Sequence, residues 1–146
     1  MATFTKVNDF VEHLAEGAHD LDTDQLTVAL SNTAPASEAS NPTADTNGLL
    51  TNVSEIAYTY FSTRNITLSS SAQTGGTYKL LLTDLTLSVT GGTAAAFQYI
   101  YIYNDGTAVL VNPLIGVYDY GSALTLNDGE SLTIDFHDTN GLFTLA

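Results

Sequence analysis

The side chains in this sequence that could do chemistry are few: three histidines, His13, His19 and His137, a scatter of aspartates beside turn residues, and eight tyrosines. Nucleophilic catalysis needs a serine or cysteine held against a base. No serine stands in a G-x-S-x-G elbow, and cysteine is absent, which also removes disulfides and thiolate metal sites. His13 and His19 are six residues apart in a helical stretch, whereas a metal pair sharing a helix face is spaced by four. Both are expected to be solvated or capping residues, and His137-Asp138 a solvated pair in a turn.

Asp20, Asp22 and Asp24 alternate, but no glycine or terminal glutamate stands where an EF-hand loop needs them, so a solvated acidic turn is expected. Calcium is the cofactor that comes nearest to support. Asp84, Asp105, Asp119, Asp128, Asp135 and Asp138 fall at strand ends or turns, where carboxylates and carbonyls can converge on a hard cation. Two of these positions, in Asn104-Asp105-Gly106 and Asn127-Asp128-Gly129, are explained by turn geometry alone. Gly75-Gly76 and Gly91-Gly92 lack the context of a phosphate-binding loop and read as turns. Glutamates for a glycosidase pair are sparse and tryptophan is absent. The expectation is therefore no catalytic residue, no cofactor and no metal: the chain is not an enzyme.

Tyrosines remain. Tyr99, Tyr101, Tyr103, Tyr118 and Tyr120 could form an aromatic ligand face, although such rings more often fill cores and interfaces. Phe97, Tyr99, Tyr101 and Tyr103 alternate with Gln98, Ile100, Ile102 and Asn104, so both faces of that strand are largely apolar and it should be central, covered on two sides. Each Asn-Asp-Gly is expected to close a hairpin.

The elements that must position these residues are mostly short strands. Residues 5–21 alone carry helical periodicity, with Val7, Phe10, Val11, Leu14, Ala18 and Leu21 on one stripe, capped by Thr5 or Asn8 and ended near Gly17. Leu26, Val28 and Leu30 alternate with small residues and predict a half-buried strand. Residues 32–52 read as a long surface loop, and 53–60 are ambiguous between helix and strand. Strands are predicted over 64–70 and 78–90, the second changing phase at Thr83-Asp84, then at 97–104, 109–111, 114–120, 124–126, 132–136 and the final GLFTL. Pro113 should sit at a strand start, a bulge or an edge. Seven to nine strands, one helix and no crossover helices predict one domain over 1–146, an antiparallel β-sandwich of jelly-roll or Greek-key type with the sandwich in 26–146.

Charge narrows the partners. Sixteen acidic residues face three basic ones, Lys6, Arg64 and Lys79, for a net charge of −13. Binding through nucleic-acid phosphates, or to an anionic membrane, is not expected. The N-terminus lacks a basic start followed by an apolar run, and no apolar stretch approaches a membrane span, so a soluble cytosolic product is expected.

Three pieces carry a resemblance: F-T-K-V-N-D-F-V-E-H-L-A-E-G-A-H-D-L at the start, L-T-V-A-L-S-N-T-A-P after it, and P-L-I-G-V-Y-D-Y-G-S-A-L-T-L-N-D-G-E-S-L-T-I-D-F near the end. The chain resembles small virion structural proteins of tailed bacteriophages, some of which look like capsid decoration or cement proteins. The resemblance runs over most of the chain and is weakest in the long loop. It implies a β-sandwich or jelly-roll domain, a homotrimer bound to the lattice of the major capsid protein, and a place on the virion surface after synthesis in the host cytoplasm. Val7, Phe10, Val11, Leu14, Tyr99, Tyr101, Tyr118 and Tyr120 are the candidate assembly-interface residues. A tail-associated, receptor- or glycan-binding β-module is the alternative.

Overall fold

The structure, a computed structural model, describes residues 2, 4–34 and 48–146. Most of the loop expected over 32–52 therefore lies outside the described residues. The chain is mainly β, with antiparallel sheets and one short helix. Its strands are β1 (Phe4–Lys6), β2 (Leu26–Ser31), β3 (Leu68–Thr74), β4 (Thr77–Leu82), β5 (Leu85–Ser88), β6 (Phe97–Asn104), β7 (Leu114–Leu124), β8 (Ser131–Ile134) and β9 (Phe143–Leu145), and the helix α1 is Phe10–Ala15. They form a four-stranded sheet ordered β1-β7-β6-β2, a three-stranded sheet β3-β4-β9 and a β5-β8 pair.

The four-stranded sheet packs over the two smaller ones. Val28, Leu30, Ile100, Ile102 and Ile115 on its side meet Leu80, Leu82, Leu87 and Ile134 on the other in one continuous core. Its opposite face is also covered. There Ala29, Tyr101, Tyr103, Leu114 and Val117 pack with Val7, Leu50 and Val53. β6 is thus central and double-sided, as its alternation of tyrosine and isoleucine dictates. Phe97 departs from the expected tyrosine face. A register shift between Phe97 and Tyr99 turns it into the first core, where its ring centroid lies 6.0 Å from that of Phe61. Nor is β2 half-buried, since all six of its residues are buried.

Local chemistry explains the other departures. The helix covers only part of 5–21, because Phe4–Lys6 pairs with β7 as β1 and Gly17, at φ 78°, reverses the chain. Its N-cap is Asp9, whose carboxylate makes no capping bond and instead accepts the Gly48 N–H at 2.9 Å. β3 starts and ends later than expected and joins β4 through Gly75-Gly76, both at positive φ, the two-residue turn that matches strand twist. Neither Asn-Asp-Gly forms a tight two-residue turn between paired strands, although β6 and β7 do form a hairpin about a longer connection. The first opens a loop over 105–113 whose Val109 and Val111 are 65% and 70% exposed, so no strand forms at 109–111. The second leads into β8, which pairs with β5 rather than β7.

The outer edge of β2 is closed without a partner strand, by residues 54–66. Val28 N–H donates to the Arg64 carbonyl at 3.0 Å, the Arg64 guanidinium donates back to the Val28 carbonyl, and Leu30 N–H donates to the Tyr58 hydroxyl at 2.9 Å. Arg64 also stacks 3.7 Å from the Tyr58 ring centroid and pairs with Glu55 at 3.7 Å. Burial beside Glu55 raises the Tyr58 pKa, keeping the hydroxyl protonated and able to donate. Arg64→Ala removes both the stacking and a charge-assisted bond to a buried strand carbonyl, and should cost about 2 kcal/mol. Urea unfolding checks this. A loss below about 0.5 kcal/mol, the range of ordinary surface substitutions, would show that the edge is closed by backbone alone.

Candidate functional site

Chain reversal at Gly17 brings the two helical-segment histidines together. His13 and His19 are 3% and 6% exposed, and their ring centroids stand 6.2 Å apart. This corrects the expectation of solvated or capping rings. Six residues cannot align on a helix face, but α1 ends at Ala15, so the spacing rule for a continuous helix does not apply. Phe10 packs 5.1 Å from the His19 ring. Asn104, at the end of β6 and fully buried, places its side-chain nitrogen 3.2 Å from His19 Nδ1 and 2.6 Å from an Asp24 carboxylate oxygen. His13 Nδ1 and His19 Nε2 are buried without hydrogen-bond partners among the described residues. Burial, reinforced by His13 and opposed by Asp24, lowers the His19 pKa to about 4, so the imidazole is neutral near pH 7. Among the described residues no group of three or more His, Cys, Asp or Glu side chains is arranged to hold a metal ion.

Beside this pair a cleft of about 460 Å³ opens between the turn after α1 and the β3-β4-β9 sheet. Leu14, Leu21 and Leu145 make its apolar wall, and Asp20, Asp22, Ser71 and Tyr78 its polar one. Tyr78 and Ser71 hydroxyls are 3.0 Å apart, and the Tyr78 pKa is raised by burial, with Asp22 and Asp20 adding to it. The exposed carboxylates of Asp20 and Asp22 agree with the expected acidic turn, but Asp24 turns inward to Asn104 and to the Asp20 N–H at 2.8 Å. Of the turn aspartates, Asp84, Asp119, Asp128 and Asp135 accept backbone N–H bonds from Phe136, Gly121, Gly91 and His137, which is loop-holding work. His137 is exposed as expected, and its Nδ1 accepts the Asn140 N–H at 3.1 Å.

The eight expected interface residues are not on one surface. Val7, Phe10 and Tyr101 are buried in the chain's own cores, Leu14 lines the cleft, and Tyr99 packs on the second core. Val11 and Tyr120 are exposed, at 46% and 47%. Tyr118 and Tyr120 meet in a groove of about 170 Å³ between β7 and β8, with Ile100, Leu132, Thr133 and Asp135. Burial, with help from Asp135 and Asp84, pushes the Tyr118 pKa up to about 12. The tyrosines therefore do not make a common ligand face: the side chains at 99, 101 and 103 belong to the second core and those at 118 and 120 to this groove.

Comparison with known proteins returns no matching family model, no matching curated protein and no matching solved structure. The chemistry of the site rests on geometry alone. What the sequence did not point to is the apolar tip Val109 and Val111, which read as a strand. The flanking Gly106 and Asn112-Pro113 were its only signal, since breakers on both sides of three apolar residues also fit a loop.

Proposed function

We propose that this chain is a non-enzymatic structural protein of a tailed-bacteriophage virion, a decoration or cement protein that binds the shell of the major capsid protein as a homotrimer. The observation that carries the reading is the β6–β7 loop, which holds Val109 and Val111 in solvent on a strongly acidic domain. Apolar side chains held outside the core favour docking to another protein surface. The charge of −13 keeps the chain away from packaged nucleic acid. The sequence resemblance to phage virion proteins supplies the identity of the partner, and repetition of weak contacts over a symmetric shell supplies affinity.

The test mixes the purified protein with shells lacking it. Saturable binding at a copy number matching the shell symmetry is expected, and the double substitution Val109→Asp, Val111→Asp should reduce occupancy at least about tenfold while the circular dichroism stays unchanged. Binding of only a few copies, at the tail vertex, would overturn the shell assignment. That outcome favours the second reading, a tail-associated receptor- or glycan-binding module. The groove of Tyr118, Tyr120, Thr133 and Asp135 supports it, because it offers ring faces beside hydrogen-bonding groups.

A further inference from the structure

Strand edges invite pairing with another chain, and proteins blunt them by shortness, charge, bulges or cover. Most edges here are treated in that way. β1 and β9 are three residues long, the edge of β2 is covered by 54–66, and Ser62 covers β5 through bonds to Ser88. The projecting half of β7 carries Asp119, whose carboxylate folds onto Gly121 at positive φ. β3 is different. After the irregularity between Leu68 and Ser70, residues 70–74 (Ser-Ser-Ala-Gln-Thr) run regularly to the turn with no charge, no proline and no covering segment among the described residues.

The register says which groups are free. The two-residue turn makes Thr74 and Thr77 a hydrogen-bonded pair, so Ala72 with Lys79 is the next one and the intervening Ser71 and Gln73 direct their N–H and C=O groups outward. None of these four groups has a partner among the described residues. We propose that this edge pairs antiparallel with the same edge of a second copy, about a two-fold axis through Ala72, joining two three-stranded sheets into one of six strands.

Three features select a second copy as the occupant. First, a two-fold axis at Ala72 sets Ser71 opposite Gln73 of the other copy and Gln73 opposite its Ser71, so all four outward groups are satisfied at once. Second, Ala72 then meets its own equivalent across a close, non-hydrogen-bonded pair, where Cα atoms approach to roughly 4.5 Å and a small side chain fits. Ala72 is exposed in the single chain, as this requires. Third, two chains of charge −13 repel, and the 70–74 edge is uncharged while the face behind it carries a cation. Ser70, Ala72, Thr74, Thr77, Lys79 and Leu81 line that shallow groove of about 330 Å³ with no carboxylate among them.

The contact goes beyond the shell-binding reading and does not depend on it. Sedimentation equilibrium of the full chain tests it, using Ala72→Glu, Ala72→Lys and their equimolar mixture. Each substitution sets like charges face to face across the axis and should weaken this association at least about tenfold, halving the mass found for the unsubstituted chain. Mixing the two restores the mass, because glutamate then faces lysine. Both substitutions sit on an exposed strand face, and unchanged circular dichroism confirms the fold. An identical mass for A72E and the unsubstituted chain, whether monomer or oligomer, would overturn the proposal. So would failure of the mixture to reassociate.

Discussion

Tyr101→Ala is expected to cost about 3–5 kcal/mol of folding stability, the range for deleting a large aromatic side chain from a core that cannot collapse around the void. Tyr101 is completely buried at the middle of β6, with Ala29 and Val117 as its cross-strand neighbours. Its ring joins Val7, Leu50 and Val53 to the sheet, and its hydroxyl donates to the Thr33 carbonyl at 2.8 Å. One side chain thus ties the N-terminal segment, the 48–53 segment and the end of β2 to the central strand. A domain of this size has about 5–15 kcal/mol in all, so the loss is a large share. Equilibrium urea unfolding measures it, and Tyr101→Phe separates the two contributions. The phenylalanine variant keeps the packing and should lose only about 1 kcal/mol, the net worth of an ordinary hydrogen bond. A loss below about 1 kcal/mol for Tyr101→Ala would mean that the second core contributes little to stability.

Acid is the second large lever. His19 has a folded-state pKa lowered to about 4, against an unfolded value near 6.5. Between those values the unfolded chain binds more protons at this residue than the folded one, so stability rises with pH. The contribution is fully present above pH 6.5 and is lost as pH falls toward 4, by about 3 kcal/mol in total. Its cause is burial against Phe10, joined by repulsion from His13 on α1. Asp24 works in the opposite direction, and Asn104 contributes only a neutral amide. His19→Gln retains a polar side chain beside Asn104 but has no titratable ring. Stability measured at intervals from pH 7 to 4 should fall less steeply for the variant, by about the same 3 kcal/mol over the range. Parallel curves would place the acid sensitivity elsewhere. Amide hydrogen exchange gives an independent readout, with protection in α1 and the turn after it expected to weaken first as His19 charges.

Much of the sandwich was legible from local pattern. The tyrosine–isoleucine alternation of β6 announced a strand covered on both sides, the phase change at Thr83-Asp84 marked the break between β4 and β5, and Pro113 stands just before β7. The turns were less legible. Asn-Asp-Gly encodes a local reversal but not which strands it will join, and pairing is chosen by burial of whole faces. β8 therefore went to β5, and the 105–113 segment stayed a loop.

The candidate site shows the same division. Sequence alone determined that the chain is uncharged over 70–74, has few cations and no cysteine, and presents strands of period two. These follow from residue type and side-chain alternation, which are properties of the chain at short range. Only the tertiary structure decided that His13 and His19 are buried together, that Arg64 closes the β2 edge, and that no described segment covers the β3 edge. Burial and edge status depend on which distant segments come to lie alongside. A histidine has no fixed protonation, and a strand no free edge, until the rest of the chain has packed around it.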